Sequence, residues 1–527
     1  MMMMTRSCEH VRASVLVVFL TGSPLFLASP PSAAQSTEAA TAIVGATLID
    51  GNGGPPIRDA TLVIVGKRIA AVGPRVSVTV PPNARIIDGS GKFVTPGLVD
   101  TNVHMSPISG HLNYARYWDR IEDLVLQGVQ LQLKHGVTTV RDSYGPLLPM
   151  IAVRDAINRG EQIGPRMYVA GNIIGWEGPS ERRLRGIGGI AESELGFFGE
   201  QLDDFFTLGT GEELIHMTPD ELRVAINGYL DKGPDFIKYN GTAHSWPARI
   251  EFSPRAQKVI VEETHKRGLV AETHSTTPEG LYLSILAGID LIQHPEALGL
   301  RELTDELVDM IVERGIICSL LPNKYTGQIW RNYLSEREAA RKKWGELRES
   351  RRIPLTTAEI ERMVQETGWE HSGTVLRQNL EMRRVNGQKL IRSGCTVSVG
   401  ADNLLFGRPG VAPEFLREDH PVPEHLEPGI GTIIAIEGLV ELGMTPAQAI
   451  VAATKNGALA SKALDQYGTL EVGKFADLLL LGGDPLEDIS NIRTLELVMM
   501  EGRIVDHSSL PTNALTGQWR SLGTARF

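Results

Sequence analysis

The sequence predicts an α/β fold, a (β/α)8 TIM-like barrel with a small β-sandwich built from both chain ends. Three observations carry that prediction. Eight short apolar strands alternate with helical stretches between residues 98 and 399, which is the strand count of a closed barrel. Both ends of the chain are instead rich in short strands punctuated by Gly and Pro. No Gly-rich phosphate loop follows the first barrel strand, as an open doubly wound sheet would show.

Taken in order, the N-terminal stretch stands apart from the fold. Arg6, His10 and Arg12 precede the apolar run from Ala13 to Leu20, and Ser32-Ala33-Ala34 supplies the small residues of a cleavage site. A signal peptide over 1–34, cleaved after Ala34, would make the protein exported, periplasmic or secreted. Pro24, Pro30 and Pro31 interrupt a run that needs about 20 apolar residues to cross a bilayer, so no stable membrane insertion is expected after cleavage.

The β-sandwich is expected to draw on residues 41–94 and 465–510. Its strands would run from Ala42 to Leu48, Thr61 to Val65, Arg68 to Val72 and Arg85 to Asp88, then from Ala476 to Leu481, Leu495 to Met500 and Arg503 to Val505. Between them, residues 95–464 form the barrel. Its expected strands are Leu98 to Val103, Val137 to Arg141, Met167 to Ala170, Phe236 to Tyr239, Leu269 to Thr273, Ile289 to Gln293, Ile316 to Leu320 and Cys395 to Val399. Gly136, Gly268, Gly288, Gly315 and Gly394 each stand where a helix would stop before a strand. A charged helical insertion over 322–394 separates strands seven and eight, and a connection that long is either a lid or a solvated helical hairpin.

Composition narrows the function. A chain of 527 residues with a net charge of −11 and no Lys/Arg-rich tract does not suit nucleic acid. The small number of cysteines, Cys8, Cys318 and Cys395, without a C-x-x-C spacing, argues against a disulfide framework or a thiolate zinc site. Cys318 and Cys395 read as buried packing. A small-molecule substrate is the expected partner, and a homo-oligomer is compatible with the chain.

The chemistry lies at the strand ends. Asn102 and His104 end strand one, Lys238 lies in strand four, His274 ends strand five, His294 ends strand six and Asp402 follows strand eight. In a barrel those ends converge on one mouth. Imidazole nitrogens and carboxylate oxygens suit Zn²⁺ or a similar divalent ion. Lys238 has two readings: an ammonium paired with a carboxylate such as Asp402, or a carbamate formed with carbon dioxide. The carbamate is favoured, because it could bridge two cations roughly 3.5–4 Å apart.

These residues resemble a known family. GKFVTPGLVDTNVH at 91–104, FIKYNG at 236–241, AETH at 271–274, LIQHPE at 291–296, SVGAD at 398–402 and GTLEVGKFADLLLLGGDPLEDI at 468–489 are similar to the metal-dependent amidohydrolase superfamily, in its imidazolonepropionase-like and dipeptidase-like branch. The resemblance implies two divalent ions, zinc first among them. Asn102, His104 and Asp402 would hold the buried ion, His274 and His294 the exposed one, and carboxylated Lys238 would bridge them. The departure is Asn102, where the family has histidine. This Asn-x-His variant resembles the phenylurea and molinate hydrolases.

The expected activity is hydrolysis of an amide, urea or carbamate C–N bond in an apolar or aromatic small molecule. Metal-activated water would attack, and Asp402 would shuttle the proton. Strand-end loops would bind substrate through Arg141, Tyr144, Trp176, Tyr239, His244 and Trp246. Two alternatives stand beside it. A metal-dependent dipeptidase or N-acyl-amino-acid hydrolase requires a cation, with Arg141 the candidate. A non-catalytic exported binding protein requires a degenerate site.

Overall fold

A computed structural model describes residues 40–106, 117–176, 192–243, 248–350, 372–404 and 424–511. The expected signal peptide over 1–34 lies outside the described residues. The architecture is α/β: parallel sheets make a TIM-like barrel, and a separate mixed sheet is assembled from both chain ends.

The mixed sheet begins with β1 (Ala40–Leu48), β2 (Ile57–Val65), β3 (Arg68–Pro74), β4 (Arg85–Asp88) and β5 (Phe93–Pro96). β1 pairs antiparallel with β2, bringing Ile43 opposite Leu62, and parallel with β4 and β5. The barrel strands follow in the order β6 (Leu98–His104), β7 (Val137–Asp142), β8 (Arg166–Val169), β9 (Phe236–Asn240), β10 (Val270–His274), β11 (Leu291–Gln293), β12 (Ile317–Leu320) and β13 (Thr396–Val399). After the two-residue β14 (Asn403–Leu404), the chain returns to the mixed sheet as β15 (Leu478–Leu481), β16 (Leu495–Met500) and β17 (Arg503–Ile504). β15 pairs antiparallel with β5, setting Leu480 opposite Val94, and this register joins the two ends of the chain. Ile43, Leu62, Ile64, Val94, Leu478 and Met499 bury one face of that sheet.

β9 to β13 pair in parallel, as do β14, β6, β7 and β8. Two short links close the ring. Beyond β8, Ile174 bridges Tyr239, donating its N–H to the Lys238 carbonyl and accepting from Asn240, each at 2.9 Å. On the other side β14 sets Asn403 and Leu404 opposite Val103 and His104. Closure thus occurs at the C-terminal strand ends, where the site lies.

Local chemistry explains the helices between the strands. Ser or Thr followed by Pro starts four of them: Thr218 before Pro219–Leu230, Ser253 before Pro254–Lys266, Thr277 before Pro278–Ala287 and Thr445 before Pro446–Ala453. Each hydroxyl accepts a backbone N–H of the first turn, and Pro gives up an N–H that would have no helical partner. Gly288 ends the helix before β11 with φ at 93°, a left-handed turn that costs glycine little.

The structure corrects one expectation. Cys318 and Cys395 are not simply packed; they form a disulfide between the neighbouring seventh and eighth barrel strands. Seventy-seven residues of sequence separate them, so only the strand order brings them together. The insertion is helical over Gly327–Ser350 and Ser372–Arg392. These helices meet each other, Arg384 lying 4.7 Å over the Trp330 ring and Arg337 pairing with Glu381.

Candidate active site

The site is built on residues that anchor strand ends. Asp100 is buried, and its carboxylate accepts from the Asn102 and Ala401 N–H groups at 3.0 and 3.2 Å and from the Thr432 hydroxyl at 2.6 Å. It thereby ties the end of β6 to the segment that leads into Asp402. The Asp402 N–H then donates to the Asn102 carbonyl at 2.7 Å. Burial pushes the Asp100 carboxyl up to about 7, against the lowering effect of those donors. On the next strand Asp142 receives the Met105 and Tyr144 N–H groups at 2.9 and 3.3 Å, holding both strand-end loops.

Asp402 Oδ1 lies 3.0 Å from His104 Nε2. Its side chain is 32% exposed, against 9% for that of His104, so this carboxylate is the accessible member of the pair. Burial alone would push its carboxyl up. The Lys324 charge and the hydrogen bond and charge of His104 outweigh burial and hold it well below the usual carboxylate range. Lys324 sits beside it, Nζ 2.9 Å from the Asp402 carbonyl and 3.8 Å from Oδ2. The lysine that attends Asp402 is therefore Lys324, in the turn after β12, rather than Lys238.

Lys238 is buried, and burial pushes its amine down against the pull of Glu272, Asp402 and Asp142. Its Nζ donates to Ser143 Oγ at 3.1 Å, and Ser143 Oγ lies 2.5 Å from Asn102 Oδ1. His274 Nδ1 and His294 Nε2 are 2.9 Å apart in a third pairing. Burial, followed by the Lys238 charge, pushes His294 down to about 3. Both His294 and Asp402 have left-handed backbones, with φ at 43° and 50°. Non-glycine residues held there carry strain, which clusters at functional sites.

These pairings overturn the expected metal centre. Among the described residues no group of three or more His, Cys, Asp or Glu side chains is arranged to hold a metal ion. The donors are engaged with one another: His104 with Asp402, His274 with His294, and Asn102 and Lys238 through Ser143. Lys238 meets Ser143 as an amine. The residues as arranged do not fit the expected pair of divalent ions, zinc included, nor the carbamate on Lys238.

The substrate-side residues separate into three groups. Tyr144 and Trp176 face the site, Tyr144 edge-on to His104 at 5.9 Å and Trp176 edge-on to His274 at 6.4 Å. Their rings are 5.9 Å apart, and Phe206 extends the wall at 6.0 Å from Tyr144. Arg141 and Tyr239 are turned into the protein. Arg141 bonds Glu272 at 2.8 Å and lies 3.9 Å over the Phe236 ring, while the Tyr239 hydroxyl bonds Gln257 at 3.0 Å. Both are at most 1% exposed, and the expectation that they touch substrate is corrected on that ground. His244 and Trp246 lie outside the described residues. Sequence reasoning missed Ser143, Lys324, Asp100 and Phe206. Ser143 directly follows the end of β7 and Lys324 lies in the turn after β12, and that position beyond a strand end is the signal that could have found them.

Comparison with known proteins agrees with this architecture. Residues 93–505 match the amidohydrolase family. Ochratoxinase of Aspergillus niger is 25% identical over 517 residues, covering 94% of this chain and 90% of that protein. The solved structure of molinate hydrolase superposes with a TM-score of 0.75 at 30% identity, covering 91% of this chain and 97% of that one. Phenylurea hydrolase B gives 0.73 at 28% identity, covering 91% and 99%. The fold and these relatives support amidohydrolase-type C–N bond hydrolysis, and the chain belongs to the amidohydrolase family.

Proposed function

We propose that this protein hydrolyses the C–N bond of an amide, urea or carbamate in an apolar or aromatic small molecule. One observation carries the reading: a partly exposed carboxylate, Asp402, lies 3.0 Å from His104 and 3.8 Å from Lys324, and His104 in turn meets an aromatic wall of Tyr144, Trp176 and Phe206. Asp402 takes a proton from the attacking water as oxygen bonds to the carbonyl carbon. It returns that proton to the leaving nitrogen as the C–N bond breaks. The wall takes the apolar or aryl part of the substrate.

Phenylurea hydrolase B, whose name states an aryl urea, is among the structures this chain resembles over most of its length. Arg141 is engaged by Glu272, which removes the cation assigned to a dipeptide or N-acyl-amino-acid carboxylate and favours the uncharged substrate. The Cys318–Cys395 disulfide supports export, since such bonds persist in oxidising compartments. A hydrolysis screen of aryl amides, aryl ureas, carbamates and N-acyl amino acids tests the reading. Turnover restricted to N-acyl amino acids would move the substrate class, and no turnover at all would favour a binding protein.

A further inference from the structure

Lys324 brings a positive charge to Asp402 from a different loop. Its Nζ lies 3.8 Å from Asp402 Oδ2 and donates to the Asp402 carbonyl at 2.9 Å. The Lys324 side chain is 10% exposed and that of Asp402 32%, so both reach solvent, as Arg141 and Tyr239 do not. The turn that carries it, Pro322–Lys324, is held firmly. Asn323 is fully buried, and its Nδ2 donates to the Ala401 carbonyl at 2.7 Å and to the His425 carbonyl at 2.9 Å. Ala401 immediately precedes Asp402, so one side chain ties the turn to the segment bearing the base. The Leu321 N–H donates to Glu296 Oε1 at 3.1 Å, and the Thr326 hydroxyl donates to the Pro322 carbonyl at 2.7 Å. The spacing of ammonium and carboxylate is therefore set before any substrate arrives.

Hydrolysis brings two oxygens together beside such a pair. One belongs to the attacking water, whose proton Asp402 takes, and the other is the carbonyl oxygen, on which charge develops. A donor and an acceptor 3.8 Å apart can each hold one of two groups that meet between them. We propose that Lys324 Nζ donates to the carbonyl oxygen of the substrate and holds the oxyanion. As the water oxygen bonds to the carbonyl carbon, its proton passes to Asp402 and the π electron pair moves onto the carbonyl oxygen. That pair then re-forms the C=O bond as the C–N bond breaks, and the leaving nitrogen takes the proton from Asp402. Lys324 keeps its own protons throughout. A cation fixed in advance by the turn needs no reorganisation as the charge appears, which is where this kind of stabilisation gains its strength. The inference deepens the hydrolase reading above and rests on it.

Acetanilide, N,N-dimethyl-N′-phenylurea and methyl N-phenylcarbamate are assayed with wild type, Lys324→Met and Lys324→Ala, the last with and without ethylamine. Lys324→Met keeps the length of the stem and removes the charge. Its kcat on the best substrate should fall about 100-fold while KM stays within about 3-fold. Ethylamine, present as the ammonium ion, should restore about 10-fold or more of the activity lost in Lys324→Ala, and tetramethylammonium, which has no N–H, should restore none. The anion of N-phenyl methylphosphonamidate copies the tetrahedral intermediate of acetanilide, and its inhibition constant should rise about 100-fold in Lys324→Met. A lysine that merely shaped the turn would show neither the rescue nor this selective loss. Activity of Lys324→Met within a few-fold of wild type overturns the assignment. So does a folded Lys324→Ala that ethylamine leaves inactive, or an analogue that binds wild type and Lys324→Met equally. The analogue decides the matter where Lys324→Ala misfolds. Each of these results leaves the hydrolase reading standing. Wild type turning over none of the three compounds counts against the hydrolase reading, and the assignment falls with it.

Discussion

Arg141 and Glu272 form an ion pair 2.8 Å long inside the barrel, with both side chains at most 1% exposed. Gln293 donates to the second carboxylate oxygen at 2.9 Å and to the Thr101 carbonyl at 3.0 Å, so the pair belongs to a polar layer reaching from β7 to β6, β10 and β11. Removing one partner leaves a buried charge uncompensated. Glu272→Ala should destabilise the protein by about 3–5 kcal/mol, read from chemical denaturation. Arg141→Met combined with Glu272→Leu should recover most of that loss.

Asp402 is assigned the proton transfers. Asp402→Asn keeps the shape and the approach to His104 but cannot accept a proton. Activity on the best substrate should fall by about 10²–10⁴-fold, with the folded state retained by circular dichroism. Activity within a few-fold of wild type would exclude Asp402 as the base.

Trp176 belongs to the aromatic wall, its ring meeting those of Tyr144 and His274. Trp176→Ala should raise KM by about 10-fold or more for an aryl substrate, the equivalent of losing part of one aromatic burial. The effect on kcat should be smaller. Steady-state kinetics on aryl and alkyl substrates separates the two quantities.

The disulfide closes a long loop across two adjacent strands. By the chain-entropy account, a loop of this size constrains the unfolded chain by about 4 kcal/mol. Cys318→Ser with Cys395→Ser should lower the thermal midpoint clearly. Denatured but unreduced wild type should show neither of these two thiols on titration.

His135 ends the helix Ile121–Lys134, and burial together with the charges of Lys134, His507 and Arg493 pushes its imidazole down to about 4. The unfolded chain, with an ordinary pKa near 6.5, binds that proton first. Stability from this residue is therefore fully present above about pH 6.5 and is lost as pH falls toward 4. The ring is partly exposed, so the expected loss is about 1–3 kcal/mol rather than the full value. His135→Gln should flatten that part of the stability profile, and a profile unchanged by the substitution would contradict the assignment.

Much of this arrangement was legible in the residues. Strand positions followed from apolar runs between helix-stop glycines, because Gly136, Gly268, Gly288, Gly315 and Gly394 adopt left-handed turns that few other residues tolerate. The convergence of residues 102, 104, 238, 274, 294 and 402 followed from barrel topology alone. What each side chain does there did not follow. Arg141 was read as facing substrate because it ends a strand, yet Glu272 on β10 claims it across the barrel. Donor types suggested a metal centre, yet whether donors point at one shared centre or at one another depends on rotamers that residue identity does not set. The Cys318–Cys395 bond was invisible for a similar reason, since spacing along the chain says nothing about which strands become neighbours.

The sequence by itself determined the eight-strand barrel, the β-sheet made by both chain ends, and the identity of the polar residues at the mouth. Those follow from periodicity and turn chemistry, which act over a few residues. Only the tertiary structure decided that Lys324 rather than Lys238 stands by Asp402, and that Ser143 lies between Lys238 and Asn102. Hydrogen bonds and charges act over about 3–4 Å, and such distances between remote segments exist only once the barrel has closed.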